Sequence, residues 1–227
     1  MAETILALLP FIIGSAVVPL QIILIILLLK DPNQGLIKAL AFVLGMTTVR
    51  VLQGVVFGLI LNGGSEATAG EAGGKSLIAS TLLLVLGLLL LISAYRKWDK
   101  EVDPDDPPPA WLSGLDRIRP RRALMLGAGL PLISAKLWAF TLSAIGVISA
   151  AELGQPASTI AYLLFLILAQ TLLLLPILVR ILLPSRSKSL LQTTSDWLTR
   201  NNRAIMIVVS LVFGLLFLYQ GVSGLLG

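Results

Sequence analysis

The stretch KALAFVLGMTTVRVLQG, residues 38–54, is apolar enough to cross a membrane and carries Arg50 near the middle of its span. A second such stretch includes GAGLPLISAKLWAF, residues 127–140, and carries Lys136. A charge at the centre of a bilayer costs at least ~2.5 to 3.5 kcal/mol, and none of the 12 carboxylates lies in an apolar stretch of this length. Two buried cations without a buried anion therefore predict an anionic partner.

The composition of the whole chain is that of an integral membrane protein. Of its 227 residues 56% are hydrophobic and 13% are charged, and the mean hydropathy is +0.94. The chain has no cysteine and no histidine, which removes thiolate nucleophiles, disulfides and the usual zinc and haem ligands. We therefore expect no enzymatic activity, no metal and no other cofactor.

Six apolar stretches are each long enough to cross a bilayer, which needs roughly 20 residues. They predict an all-α integral membrane protein with six transmembrane helices, at residues 4–29, 36–61, 76–95, 123–151, 157–183 and 204–226. The first stretch has no basic region before it and no small-residue cleavage site after it, so we expect it to be retained as a span and not removed as a signal peptide.

The distribution of basic residues predicts the orientation of these spans. Fourteen of the 17 Lys and Arg residues lie in or beside the first, third and fifth connections, whereas the second holds only Lys75 and the fourth none. By the positive-inside rule the odd connections are cytoplasmic and both termini are non-cytoplasmic, in a bacterial inner or plasma membrane or in a thylakoid. The net charge of +5 thus reflects topology and does not predict nucleic-acid binding.

A charged connection, residues 96–122, divides the chain into an N-terminal half, residues 1–95, and a C-terminal half, residues 123–227. Three consecutive prolines make the connection a stiff spacer. Each half has three spans, and an odd number requires the second half to run through the membrane in the opposite direction. We therefore predict two inverted three-helix repeats, a common plan of transporters.

Similarity between the halves gives weaker support for this repeat. Residues 84–91 match residues 211–218 at a constant offset of 127, and residues 41–44 match residues 161–164. The second match places Arg50 opposite Gln170.

Prolines predict that the first and fourth transmembrane helices are interrupted. Pro19 cannot donate a hydrogen bond to the carbonyl of Ser15, and Pro131 cannot donate to that of Gly127. Each freed carbonyl lies beside small residues, among them Gly14 and Gly127. We expect these sites to be hinges or cavity walls, the alternative being simple kinks in a packed bundle.

The polar residues within the spans are the candidate substrate ligands. Thr47 and Gln53 lie three residues either side of Arg50 and form one polar stripe with it, and a guanidinium suits carboxylate, phosphate or sulfate. Lys136 is about 13 residues from either end of its span, and Gln170 completes the set, although an amide in a membrane helix is more often interhelical packing. For Arg50 the alternative is a structural role, in which it binds carbonyls freed by the prolines, and for Lys136 it is snorkelling to an interface. In a non-transporting protein both cations would bind freed carbonyls or a structural lipid.

The chain resembles the lysine-exporter-type transporter superfamily, and within it the peptidoglycolipid-addressing branch called GAP or Sap proteins. The resemblance lies in LALLPFIIGSAVVPLQIILIILLL at residues 6–29, the two stretches quoted above and the long charged connection. Members often open the second half with Asn-Pro-Lys, whereas here four residues separate Pro131 from Lys136 and no Asn precedes Pro131. The resemblance implies a six-span exporter or translocator and, for that branch, a lipid-linked or glycolipid cargo.

These observations predict a membrane transporter that exports or translocates an anionic or zwitterionic, lipid-linked small molecule by alternating access. Membrane lipids are expected partners, and the GxxxG pattern from Gly54 to Gly58 predicts close helix packing within the bundle or at a homodimer contact. Without carboxylates in the spans, divalent-metal transport is not expected. The alternative is a non-transporting membrane subunit or assembly factor that docks a partner protein through the cytoplasmic connection.

Overall fold

The computed structural model describes residues 2–67, 72–99, 114–115 and 118–226. Most of the predicted connection, residues 96–122, lies outside these ranges. The described residues are helical apart from short connections, and the helices are α1 (Ala2–Ala16), α2 (Pro19–Leu29), α3 (Gly35–Ala67), α4 (Ala72–Asp99), α5 (Pro120–Ile133), α6 (Ala135–Ala150), α7 (Ala157–Ala169), α8 (Thr171–Leu182) and α9 (Pro184–Leu226).

Several of these helices are long and apolar enough to cross a membrane. Two helices are long and apolar enough alone: α3, over Gly35–Leu59, and α9. Three bent pairs are long and apolar enough when each pair is counted as one span: α1–α2, α5–α6 and α7–α8. The described part of the chain therefore has two to five candidate spans. Large apolar side chains stay exposed along them, such as Leu44 (59%) and Ile133 (85%). An apolar surface of this kind needs lipid around it, so the chain is an integral membrane protein. The number six stays a prediction.

The predicted interruptions of the first and fourth spans are confirmed. Helix α1 ends at Ala16, α2 begins at Pro19, and the two are bent by 55°. Helix α5 ends two residues after Pro131, and α6 turns away from it by 71°. Ser134 lies between α5 and α6 in an extended conformation, and its Oγ accepts a hydrogen bond from the backbone N–H of Leu137. Pro19 is the first residue of α2, and Pro131 lies two residues before the end of α5. Neither proline can donate a backbone hydrogen bond to the turn before it, which weakens the helix at these places.

A third break, in the predicted fifth span, is not expected from the sequence. Helices α7 and α8 meet at Gln170 and are bent by 57°. Pro176 lies inside α8, six residues past the break, so the proline position alone does not locate it. The Gln170 side chain is hydrogen-bonded to Thr47 of α3, 123 residues away in the chain, and such a tertiary contact has no local signal.

The fifth connection also differs from the prediction. Residues 184–203 are helical and continuous with the predicted sixth span, forming one 43-residue helix, α9. Its N-terminal half buries a single face, made of Ser187, Leu191, Ser195 and Leu198. These positions recur every three or four residues, so the basic segment is an amphipathic helix that packs on the protein. A helix of about 65 Å exceeds the ~30 Å hydrocarbon core, which leaves room for this segment outside it.

Helices α4 and α9 pack through glycines. A Cβ on Gly87 would lie 2.9 Å from the Gly214 carbonyl oxygen and 2.8 Å from the Leu218 nitrogen. A Cβ on Gly214 would lie 3.2 Å from the Gly87 carbonyl oxygen and 2.7 Å from a methyl group of Leu91. The contacts are reciprocal, and each glycine meets the counterpart that lies 127 positions away in the sequence match.

Helices α3 and α5 approach each other in the same way. A Cβ on Gly45 would lie 2.1 Å from the Leu124 carbonyl oxygen, and one on Gly127 would lie 2.0 Å from the Phe42 carbonyl oxygen. Only glycine permits two backbones to come this close. This crossing places α3, with its polar stripe, beside the broken fourth span.

An ion pair closes the connection between α2 and α3. Asp31 accepts hydrogen bonds from Lys38 Nζ and from the backbone N–H groups of Gln34 and Asn33. The Lys38 hydrogen bond first, and then the two backbone bonds, lower the pKa of Asp31 from 3.8 to about 2. Since the negative form is favoured in the folded protein, its contribution to stability is present above about pH 4 and is lost as the pH falls towards 2.

We expect the melting temperature of the wild type to fall between pH 4 and pH 2 by more than that of Asp31→Asn. The reason is that the amide of the variant does not take up the proton that weakens the wild-type contact. Thermal unfolding in detergent at a series of pH values measures this difference. Glu3→Gln, which removes an exposed carboxylate in α1, is the control, and equal pH dependence of Asp31→Asn and the wild type would contradict the expectation.

Candidate functional site

Arg50 is enclosed at the centre of the bundle. Its side chain is 1% exposed, and Nη2 donates to Ser15 Oγ of α1 at 2.9 Å and to Thr141 Oγ1 of α6 at 3.4 Å. The guanidinium carbon lies 5.2 Å from the centre of the Phe165 ring of α7, a cation–π distance. The Arg50 guanidinium, on α3, thus lies where α1, α6 and α7 meet.

The Arg50 guanidinium has no carboxylate partner among the residues that the structure describes. Its Nε is buried and makes no hydrogen bond. Two hydroxyl groups and one aromatic face stabilise a buried positive charge less than a carboxylate or phosphate would. The centre therefore has the electrostatics of a site for an anion.

Thr47 and Gln170 join the polar stripe of α3 to the break between α7 and α8. Thr47 Oγ1 is 2.8 Å from the Val43 carbonyl oxygen and 2.9 Å from Gln170 Oε1. A hydroxyl has one proton, so when Thr47 donates to Val43 the Gln170 amide must present its NH₂ group instead. Gln170 thus contacts the polar stripe of α3 at Thr47, one helical turn before Arg50. The role of Thr47 and Gln170 in substrate binding stays a prediction.

Gln53 meets the broken fourth span. Its Nε2 donates to the Pro131 carbonyl oxygen at 3.4 Å, while its Oε1 is buried without a hydrogen bond. The Pro131 carbonyl is free because the helix ends at Ile133, before a residue that could donate to it in the helical pattern. Gln53 therefore caps α5 from a neighbouring helix and keeps one acceptor atom available.

Lys136 reaches the break of the first span. Its Nζ is 3.5 Å from the Val17 carbonyl oxygen, 3.9 Å from Met206 Sδ and 5.8 Å from the centre of the Phe140 ring. Val17 is two residues from Ser15, the partner of Arg50. The two cations therefore contact neighbouring residues at the C-terminal end of α1 and just after it.

The small residues predicted beside the prolines lie at close packing contacts. A Cβ on Gly14 would lie 2.3 Å from the Phe140 ring, and Gly127 faces the Phe42 carbonyl. Pro19 and Pro131 are buried next to the two breaks. Whether these four residues act as hinges or cavity walls stays a prediction.

Sequence reasoning missed the neighbours that complete the site. Ser15, Thr141, Phe165 and Tyr162 surround Arg50, and the Tyr162 hydroxyl donates to the Arg50 carbonyl oxygen at 2.6 Å. The available signal was weak: a buried arginine needs acceptors, and hydroxyl groups in other spans are the nearest candidates. Nothing in the sequence tells which of the many such groups face it.

The fold and this site define an integral membrane protein whose broken helices surround a buried cationic centre. No group of three or more metal-ligating His, Cys, Asp or Glu side chains lies in the described part of the chain. Over residues 8–223 the chain matches the family described as Sap, sulfolipid-1-addressing protein, and it therefore belongs to that family. No curated protein and no solved structure matches it.

Proposed function

We propose that the protein is a membrane transporter that exports or translocates an anionic or zwitterionic, lipid-linked molecule, and that it is not an enzyme. The observation that carries the proposal is the enclosed Arg50 guanidinium without a carboxylate partner among the described residues. A bound anion would supply the missing charge and accept the free Nε–H. Charged groups at membrane depth mark substrate pathways more often than packing.

The family supplies the class of cargo. Its description refers to a sulfolipid, and a sulfolipid joins a sulfur-containing anionic group to apolar chains. A guanidinium fork matches the paired oxygens of such a group. An acidic amphiphile is therefore the cargo that we propose, together with membership of the lysine-exporter-type superfamily and its six-span plan.

The pattern of contacts between helices supports two inverted repeats. If α1–α4 form one repeat and α5–α9 the other, each contact of α2 has a counterpart made by α6. The contact of α2 with α9 corresponds to that of α6 with α4, the contact of α2 with α8 to that of α6 with α3, and the contact of α2 with α3 to that of α6 with α7. All six contacts occur. The reciprocal Gly87–Gly214 contact is what an axis between two repeats would produce. Broken helices that meet at the centre fit alternating access around one site.

The proposal is tested by identifying what Arg50 holds. Protein in nanodiscs made with native lipids is analysed by native mass spectrometry, and wild type is compared with Arg50→Gln. Two charge-assisted hydrogen bonds are worth about 3 kcal/mol or more, so we expect one anionic species to be retained about 100-fold less by the variant. Lys188→Gln, which removes an exposed charge from α9, should retain it.

Lys136→Met separates the roles of the two cations in the same experiment. Loss of the same species in both variants would mean a shared site, and would justify measuring its flux in vesicles. If folded Arg50→Gln and Lys136→Met both keep every ligand of the wild type, the cations are structural and transport loses its physical support.

A specific observation favours the second candidate, a non-transporting subunit. Lys136 and Gln53 already bind carbonyls at the breaks, at Val17 and Pro131, as a purely structural role requires. Under this alternative the partner protein docks on residues 96–122, and deleting part of this connection would release a co-purifying protein without changing lipid binding.

The topology that we propose places both termini and the α6–α7 connection outside the cytoplasm. The chain has no cysteine, so a single introduced cysteine is the only thiol of the protein that a maleimide can label. In intact spheroplasts, a membrane-impermeant maleimide is expected to label Glu152→Cys, whereas Lys188→Cys should react only after lysis because its segment carries the basic excess. The opposite pattern would invert the topology.

A further inference from the structure

A polar cavity of about 430 Å³ lies where the α2–α3 connection meets the residues that lead into α5. One wall is made by residues 30–34 and by Lys38 of α3, and the other by Ile118 and Arg119, which directly precede α5. All but two of the lining residues are polar or charged. The cavity therefore joins the N-terminal half of the chain to the start of the C-terminal half.

The described residues of this cavity carry a net positive charge. Three cations, Lys30, Lys38 and Arg119, line it together with one carboxylate, Asp31. The carboxylate is already satisfied, because it accepts hydrogen bonds from Lys38 Nζ and from two backbone N–H groups. The Asp31–Lys38 pair is neutral as a whole, whereas Lys30 and Arg119 have no carboxylate partner in the described part of the chain.

The wall formed by the α2–α3 connection has its shape before any ligand arrives. The Lys38 side chain is 3% exposed and is bound to Asp31, and the backbone N–H of Gly35 donates to the Asp31 carbonyl oxygen at 3.1 Å. A site whose walls are already ordered loses less conformational entropy on binding. The charges of the cavity are therefore presented in a fixed arrangement.

The start of α5 adds positive potential at the same place. This 14-residue helix begins at Pro120, and the Arg119 side chain before it makes no capping hydrogen bond. The first N–H groups of a helix have no acceptor within it, and the helix dipole makes this end positive. At α3, by contrast, the Asp31 carboxylate already occupies the corresponding end.

Two cations and a helix start suit a ligand group with two negative charges. A phosphate monoester carries about −1.5 to −2 charges at pH 7 and has three oxygens that accept hydrogen bonds, whereas a phosphate diester or a sulfate ester carries one charge. The volume is within the roughly 300 to 1,000 Å³ range of small-molecule sites, so the cavity has room for the organic part of an ester as well.

We propose that this cavity binds a phosphate monoester, with Lys30 and Arg119 as its cationic ligands. The ester belongs to a small soluble molecule or to the headgroup of phosphatidic acid, since both present the same group. A bound ester would connect the end of α2 to the start of α5, across the two halves of the chain. The site does not rest on the proposed function, because none of the residues that contact the Arg50 side chain lines the cavity.

Glycerol 3-phosphate tests the soluble form of the ligand. The whole chain in phosphatidylcholine nanodiscs is titrated by isothermal titration calorimetry with this monoester and with its methyl diester. At about pH 7.5, above the second phosphate pKa of about 6, we expect the monoester to bind at least 10-fold more tightly than the diester.

Nanodiscs that contain phosphatidic acid or phosphatidylglycerol, with identical chains, test the headgroup. Native mass spectrometry counts the lipids that the protein retains. Retention of phosphatidic acid at least 10-fold over phosphatidylglycerol supports the site and identifies a lipid as the source, and tight binding of glycerol 3-phosphate supports it and identifies a soluble molecule. No preference for the monoester in either experiment would overturn the proposal.

Lys30→Gln and Arg119→Gln should each weaken binding of the monoester at least 10-fold. Both side chains are exposed, so these variants should fold, and their melting curves check this. Asn33→Asp, at another exposed position of the lining, should also weaken binding, because it adds a negative charge without removing a cation. Unchanged binding by both Lys30→Gln and Arg119→Gln would refute the site.

Lys188→Gln is the matched control, since it removes an exposed cation of α9 that does not line the cavity. An equal loss of binding in this variant would mean that the ester responds only to the net charge of the protein, which would also overturn the proposal. Lys30→Gln should keep any anion that Arg50 holds, so the two sites fail or survive independently.

Discussion

Gly127→Ala is expected to lower the free energy of unfolding by about 3 kcal/mol or to prevent stable folding. The new methyl group would lie 2.0 Å from the carbonyl oxygen and 2.8 Å from the carbonyl carbon of Phe42. Overpacking usually costs about 1 to 3 kcal/mol because side chains shift, but here the obstructing atoms belong to the backbone of α3 and cannot rotate away. Helices α3 and α5 would have to separate along their crossing. Thermal or denaturant unfolding in detergent measures the loss.

Gly129→Ala is the control in the same helix. No atom lies within 4 Å of the added methyl group, so this variant should gain up to about 1 kcal/mol from the higher helix propensity of alanine. Gly45→Ala, on the other side of the crossing and 2.1 Å from the Leu124 carbonyl oxygen, should behave like Gly127→Ala. Equal stability of the Gly127 and Gly129 variants would show that this crossing is not a tight contact.

Features that depend on local chemistry were predictable from the sequence. Pro19 and Pro131 cannot donate a hydrogen bond to the preceding helical turn, and long apolar stretches require lipid, so breaks near these two prolines and the membrane setting could be predicted. The match of Gly87 with Gly214 was evidence for a repeat only, and the contact of the two glycines between α4 and α9 was not predicted.

Features that depend on distant contacts were not predictable. The break at Gln170 coincides with its bond to Thr47, and the helical form of residues 184–203 comes with burial of one face against the bundle. Likewise, Arg50 could be singled out because a buried charge is costly, whereas Ser15 and Thr141 are ordinary residues of apolar helices until the fold brings them to it.

Arg50→Met is expected to weaken binding of an anion without lowering the stability of the ligand-free protein. Without ligand, the wild type holds a buried charge that has only hydroxyl and aromatic partners among the described residues. Replacing buried ionic groups with apolar ones of similar size is often neutral or stabilising by about 1 to 4 kcal/mol. We therefore expect the ligand-free variant, in uncharged detergent, to unfold at the same temperature as the wild type or above it.

With an anionic amphiphile added, the wild type should unfold at a higher temperature than Arg50→Met. A ligand present at 100 times its dissociation constant stabilises the folded protein by about 2.7 kcal/mol, and Arg50→Met should lose most of this gain. Lys188→Met, at an exposed position of α9, should keep it. A structural arginine predicts the reverse: Ser15 Oγ and Thr141 Oγ1 would lose their donor, the ligand-free variant would be less stable than the wild type, and the anion would stabilise both equally. Because the two roles of Arg50 predict opposite signs in the absence of ligand, one pair of melting curves decides between them.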